Sequence, residues 1–208
     1  MHRILPALAL LAALGLAASP ARAADADAAW TMDPPHSQAS FKVRHILAPI
    51  MGRFNDIDAD VAFNPAALGQ AHVNFSVDVA SIDTGIAQRD AHLRTKDFFD
   101  VERFPEISFV STSITHNEGS RYDVRGKLTI HGVTREIGIP MQYLGVVDSP
   151  MPDQQCTEVM GLVAVTRIDR LEYGVGDGSW AAMGAVGTDV DIIVTMELLR
   201  PKKGCAKE

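Results

Sequence analysis

Ala39-Ser40-Phe41-Lys42-Val43-Arg44 alternates apolar and polar side chains with a period of two. Successive side chains of an extended chain point to opposite faces, so Ala39, Phe41 and Val43 share one face, as a half-buried strand requires. The pattern returns at once. Ile57, Ala59, Val61 and Phe63 alternate with Asp56, Asp58, Asp60 and Ala62, and Ala71, Val73, Phe75, Val77 and Val79 alternate with His72, Asn74, Ser76 and Asp78. Asn64-Pro65 and Leu68-Gly69 supply the break between these two runs.

Further strands read over 107–114, 122–130, 133–143, 159–168 and 185–199, which makes about eight in all. His131-Gly132 joins two of them as a two-residue hairpin loop, and Asn117-Glu118-Gly119 marks another tight turn. Consecutive hairpins favour an antiparallel meander. Only 81–100 breaks the pattern: Asp83 and Thr84 are capping candidates, Ile86, Leu93, Phe98 and Phe99 stand among charged residues, and the spacing predicts a helix over 84–96. A glycine-rich stretch over 169–178 is weakly helical or irregular. Eight amphipathic strands hide their apolar faces in a two-sheet sandwich or in a sheet closed on itself, and strands of this length favour the all-β barrel.

The chain has 208 residues, 47% of them hydrophobic and 22% charged, which suits a globular protein. Its one long apolar run is N-terminal. Met1-His2-Arg3, the apolar stretch from Ile4 to Ala18 and Ala21-Arg22-Ala23 together read as a cleavable export signal over 1–23, cut after Ala23. The remainder, 24–208, shows no linker or repeat and reads as a single domain delivered to the periplasm. The formal net charge is −7, and the leader carries Arg3 and Arg22 but no acid, so cleavage brings the charge to −9. Such a surface repels phosphate backbones and argues against a nucleic-acid partner. Cys156 and Cys205 are the only cysteines. An oxidising compartment favours a bridge between them, whereas the Lys- and Gly-containing tail around Cys205 leaves free thiols as an open alternative.

Chemistry-bearing motifs are sparse. Six histidines remain after the leader, at 36, 45, 72, 92, 116 and 131, without HxH, HExxH or other metal-ligand spacing, and no GxSxG or phosphate loop is present. No metal, no cofactor and no catalytic residue is expected. His36 and Ser37 are adjacent in an extended segment and point apart, which makes them a poor base and nucleophile. On the predicted helix, Arg89 and His92 share a face with Leu93. They either close the mouth of a pocket or, with Asp90, tether the helix to the rim of the barrel.

Several fragments in order carry a resemblance: Trp30-Thr-Met-Asp33, His36-Ser37, Phe41-Lys-Val-Arg-His45, Gly52-Arg-Phe54, Ser81-Ile-Asp-Thr84, Arg89-Asp-Ala-His-Leu93, Asp97-Phe-Phe-Asp100, Phe104-Pro105, Phe109-Val-Ser111 and Gly126-Lys-Leu-Thr-Ile-His-Gly-Val-Thr134. Together they resemble the YceI family of polyisoprenoid-binding periplasmic proteins over 29–199. Arg167-Ile-Asp-Arg-Leu-Glu-Tyr-Gly174 is a slightly altered form of the family's element before its last strand. The resemblance implies a lipocalin-like antiparallel eight-stranded barrel without catalytic activity, holding a polyprenyl chain such as an isoprenoid quinone tail or a prenyl phosphate for storage or transport. It also implies homodimers, a role in stress response and passing contact with envelope membranes. The residues expected to line the pocket are Phe41, Val43, His45, Phe75, Val77, Arg89, His92, Phe98, Phe99, Phe109, Leu128, Ile137, Ile139, Met141, Leu162 and Val190.

Two other readings stand beside the carrier. One is a secreted hydrolase or isomerase using His45, Arg89, Asp90 and His92 on a small lipophilic substrate in the same cavity. The other is a structural envelope sandwich with no cavity. The leader generates its own test: N-terminal sequencing of the protein from a soluble envelope fraction should begin at Ala24, and an intact Met1 in the membrane pellet would refute the export reading.

Overall fold

The computed structural model describes residues 29–205, so the expected leader lies outside the described residues. Among these, eleven strands occur. The first six are β1 (Ala29–Met32), β2 (Gln38–His45), β3 (Ala48–Phe54), β4 (Ile57–Ala62), β5 (His72–Asp78) and β6 (Ile82–Asp83). The helix α1 (Ala87–Arg94) follows, and then β7 (Glu106–His116), β8 (Arg121–Ile130), β9 (Val133–Asp148), β10 (Thr157–Asp169), the one-turn helix α2 (Ser179–Ala182) and β11 (Val186–Pro201).

The six short strands are pieces of three bent ones. A single 3₁₀ turn at Pro34–His36 separates β1 from β2, Asn55 and Asp56 separate β3 from β4, and a 3₁₀ turn at Val79–Ser81 separates β5 from β6. Trp30 pairs with Val61 and Phe41 with Gly52, so β1–β2 runs antiparallel to β3–β4 along its whole length. Counted this way the barrel has eight staves, each hydrogen-bonded to its sequence neighbour. Closure comes from β11, whose residues 186–195 pair with β2 while Leu198 and Leu199 pair with β1. The sheet is an antiparallel eight-stranded barrel, as the period-two pattern implies.

Local chemistry explains most boundaries. His131 and Gly132 have φ of 51° and 75°, the doubly positive turn that matches the twist of a tight hairpin. The helix is shorter than 84–96. Asp83 belongs to β6, opposite Arg53, and its carboxylate accepts the Gly85 N–H instead of capping a helix. Ile86 stands at the N-cap without a side-chain bond. The glycine-rich stretch becomes a 3₁₀ turn at Arg170–Tyr173, where Asp169 accepts the Leu171 N–H and Gly174 ends the turn at φ 70°. On the outer wall Asp191 faces Arg167 on one neighbouring strand and Lys42 on the other. The hydrogen bonds from these two cations hold its carboxyl down to about 2, so their contribution is present above the ordinary carboxylate range and fades as pH falls toward 2.

One end of the barrel is solid. Trp30, Phe63, Tyr122, Met160, Leu162 and Leu198 are buried there, and Trp30 donates its indole N–H to the Phe63 carbonyl at 3.1 Å. Arg200 lies 4.2 Å over the Trp30 ring and pairs with Glu158 at 2.6 Å, covering the plug with a charged lid. At the same end Cys156 and Cys205 form a disulfide, with Cα atoms 5.5 Å apart and a sequence separation of 49 residues. The tail around Cys205 is therefore tied to the start of β10.

Closing a loop of that length removes denatured-state entropy worth about 4 kcal/mol in the chain-entropy account. Replacing both cysteines by serine should lower the thermal midpoint by roughly 10 °C while the far-ultraviolet spectrum of the folded state stays unchanged. Two titratable thiols per denatured wild-type chain would contradict the bridge.

Candidate functional site

The opposite end of the barrel is hollow. Phe41, Val43 and His45 on β2, Ile50 and Phe54 on β3, and Val186, Val190 and Ile192 on β11 form one wall of a cavity of about 270 Å³. The other wall comes from Thr84, Arg89, His92 and Leu93 in and before α1, from Phe98 and Phe99, from Ile107, Ile130 and Ile168, and from Arg170, Val175 and Trp180.

The width of the cavity depends on a missing side chain. A Cβ on Gly52 would lie 2.3 Å from the Phe41 ring and 2.9 Å from Thr84 Cγ2. The absence of that atom lets Phe41 lie flat across β3, where it packs 5.7 Å from Phe54, which in turn meets Phe99 edge-on at 6.2 Å. Facing this aromatic wall, Phe98 stacks obliquely near Trp180, and His92 touches both rings edge-on at 5.2 and 6.1 Å.

The polar residues at the cavity are bound to the protein itself. Arg89 donates from Nε to Thr84 Oγ1 and from Nη2 to the Thr84 carbonyl, both at 2.7 Å. Buried Asp90 accepts from the backbone N–H of Thr84 at 2.9 Å and from its hydroxyl. These bonds tether α1 to the end of β6, and Arg89 reaches the cavity as well. His92 Nε2 lies 3.2 Å from an Asp97 carboxylate oxygen. Arg170 is only 5% exposed and gives its hydrogen bonds to the carbonyls of Gly187, Val175 and Val186. Burial pushes its guanidinium below the usual arginine range, and Asp169 and Asp177 counter this through space.

Of the residues expected at the pocket, Phe41, Val43, His45, Arg89, His92, Phe98, Phe99 and Val190 come together around this cavity. The other eight do not line it. Phe109, Leu128, Met141 and Leu162 belong to the solid core, Phe75, Ile137 and Ile139 pack against that core, and Val77 is buried in β5. All eight lie on β5 and β7 to β10 at positions where inward side chains fill the barrel, while Ile107, Ile130 and Ile168 on three of the same strands line the cavity. Inward orientation was legible for them, but whether the interior beside each is filled was not.

The sequence reading also missed lining residues. Ile50, Gly52 and Phe54 do alternate, although Pro49 and exposed Met51 obscure the strand. Arg170 carried no bottom-up signal, since an arginine in a glycine-rich stretch usually points to solvent. Among the described residues one group has metal-ligand geometry, Asp33, His36 and Glu197, which lies on the surface away from this cavity and was not singled out as a metal site.

The YceI-like domain family matches residues 30–198, nearly the whole barrel. This chain belongs to the YceI family. A UPF0312 protein of Vibrio parahaemolyticus is 33% identical over 71% of this chain and 78% of its own length, and one from Pectobacterium atrosepticum is 29% identical over 92% and 96%. Among solved structures, BcnA of Burkholderia cenocepacia matches with a TM-score of 0.70 and 29% identity, covering 81% of this YceI chain and 99% of BcnA. A polyisoprenoid binding domain from Saccharophagus degradans, implicated in plant cell wall breakdown, shares the fold at a TM-score of 0.60 and 16% identity, over 83% of this chain and 98% of that one.

The contact between Phe41 and Gly52 makes a separable prediction for this YceI protein. Gly52→Val should push the Phe41 ring into the cavity and weaken binding of an apolar fluorescent probe by about tenfold or more, with overpacking costing about 1–3 kcal/mol of stability. Gly126→Val disturbs Phe109 in the solid core instead, so it should lower the melting temperature while a folded sample keeps its affinity for the probe.

Proposed function

We propose that this YceI protein is a periplasmic carrier that holds the polyisoprenoid chain of a lipid, of the quinone or prenyl phosphate type, in the hollow end of its barrel for storage or transport. The observation that carries the reading is the lining of the cavity. Fifteen of its twenty residues are apolar, and they come from six strands and the segments around both helices. A prenyl chain placed there gains about 0.8 kcal/mol per buried carbon before its lost freedom is subtracted, so contact length sets affinity. The polyisoprenoid-binding neighbour shares the barrel and supports this choice of ligand. The N-terminal leader supports delivery to the periplasm.

The hairpin tip beside the mouth supports passing contact with a membrane during loading. Leu47 is 91% exposed, and Ile46 is held at φ 53° by the bond from its N–H to the Ala185 carbonyl. A strongly exposed leucine flanked by an outward isoleucine is suited to dip into a lipid surface.

The enzymatic alternative is less well supported. Of its proposed residues, Arg89 and Asp90 are committed to Thr84, and His92 faces Asp97. No nucleophile is paired with a base among the lining residues.

Protein purified from its own envelope and extracted with organic solvent should yield, by mass spectrometry, a lipid whose fragments step by isoprene units. Failure both to carry such a lipid and to bind a fluorescent prenyl analogue would overturn the carrier. Turnover of a lipophilic ester by the wild type, lost in His92→Ala, would replace it with the enzyme.

A further inference from the structure

We propose that residues 176–185 form a lid over the hollow end of the barrel, with Trp180 as the side chain that closes it, and that this span swings on its glycines to let an apolar ligand in and out. The inference takes from the carrier reading only the nature of what passes.

The lid emerges by elimination among the segments that line the cavity. The strand residues, from Phe41 on β2 to Ile192 on β11, are fixed in hydrogen-bonded ladders. Helix α1 is tied to the end of β6 through Arg89 and Asp90, and Arg94 reaches the carbonyls of Ala80 and Ile82 at 2.7 and 2.8 Å. The turn that carries Phe98 and Phe99 is bonded back to α1, from the Phe99 N–H to the Leu93 carbonyl and from the Val101 N–H to the Arg94 carbonyl. Residues 176–185 have no comparable tie. Their backbone bonds run within the span, from Ala181 and Ala182 to Gly178, from Met183 to Ser179, from Gly184 to Ala181 and from Ala185 to Trp180. Asp177 likewise spends its carboxylate on the N–H and hydroxyl of Ser179. Among the described residues, two hydrogen bonds reach the span from elsewhere, and both lie at its far edge: Arg44 Nη1 donates to the Gly184 carbonyl at 3.3 Å, and the Ile46 N–H donates to the Ala185 carbonyl at 2.8 Å.

Both feet of the span stand on one buried group. Arg170 donates to the carbonyl of Val175, just before the span, and to the carbonyls of Val186 and Gly187, just after it. A single guanidinium therefore holds the two ends close together, as in a compact surface loop whose ends meet. Between these fixed feet the backbone turns at Gly176, Gly178 and Gly184, with φ of 85°, 87° and 73°, where glycine moves without the penalty a Cβ imposes. Those three residues are the hinges.

Trp180 is what the span puts inside. Ser179, Ala182, Met183 and Gly184 are exposed, so the one-turn helix α2 rests on the barrel through one large side chain. Its ring faces His92 at 6.1 Å and Phe98 at 6.5 Å. Such ring contacts are individually weak, and a segment with few buried contacts opens far more readily than the whole domain unfolds. Opening takes the indole away from His92 and Phe98 and widens the mouth. Arg44 is the latch, because the same Nη1 also bonds the Ile46 carbonyl and so fastens the edge of the lid to the exposed hairpin tip at Ile46 and Leu47.

A lid and a wall differ in kinetics. A wall residue holds the bound ligand, so truncating it speeds release alone, whereas a lid residue stands in the path both ways, so truncating it speeds entry as well. Stopped-flow mixing of the delipidated protein with an apolar naphthylamine fluorophore reads both rates. Trp180→Ala should raise the on-rate and the off-rate together, each by about tenfold or more, so that affinity changes less than either. Arg44→Gln, which unfastens the latch, should move both rates in the same direction by a smaller factor. Phe54→Ala, which removes a ring from the fixed wall, should raise the off-rate only. Hydrogen exchange supplies a second reading on the unmodified protein: the bonded amides of 181–185 should exchange about a hundredfold or more faster than those of 194–198 in β11, and should slow when the fluorophore is bound.

A faster off-rate with an unchanged on-rate in Trp180→Ala would make Trp180 part of the wall and overturn the lid, while the carrier stands. Exchange at 181–185 as slow as in β11 would overturn it too. If the wild type binds no apolar ligand, the carrier reading fails, and the exchange rates at 181–185 decide the lid by themselves.

Discussion

Closure of the sheet is the constraint on which the rest of this protein depends. The last strand, β11, is long enough to serve both pieces of the bent first stave, pairing with β2 along 186–195 and with β1 at Leu198 and Leu199. Without that double pairing the sheet would end in two rows of unpaired backbone groups, an invitation to aggregation. Closure also forces the inward faces of all eight staves together. An eight-stranded barrel is barely wide enough for side chains or for one small cavity, and this chain fills one end with side chains and keeps a cavity at the other.

Side-chain size determines which option applies. Where Trp30, Phe63, Tyr122 and Met160 meet, buried side chains fill the interior. Toward α1 the aromatic rings line the walls instead of crossing the middle. Phe41 can do so because Gly52 faces it across the ladder, and Phe109 lies over Gly126 by the same device within the packed half. The hollow that results is set by shape and by the apolar side chains along its wall.

Much of the architecture was legible because alternation with period two survives in each stave. Phe41, Phe75 and Leu128 all announced an inward face, and His131-Gly132 announced its turn. Three short strands were not read. β1 has four residues and β6 has two, too few to establish a period. β3 hides a regular Ile50, Gly52, Phe54 face behind Pro49 and an outward Met51. The site was legible only in part for a different reason. Alternation reports which way a side chain points, whereas a hollow depends on what meets it from other staves, and the sequence pattern around Ile139 or Phe109 does not encode that. Arg170 was the least legible residue, since its burial arises from three carbonyls brought to it by the fold.

The position of the disulfide has a mechanical consequence. Cys156 and Cys205 join the ends of β10 and β11 beside the solid plug, where Arg200 to Glu158 closes the same seam and Lys202 reaches across β10 to Asp148 on β9. The ladder between these two strands runs from there to Asp169 and Asp189, next to the mouth. A seam sewn at its bottom can part only from the top. Widening the barrel therefore costs least at the rim and most at the plug, so the hollow end can yield while its base stays shut.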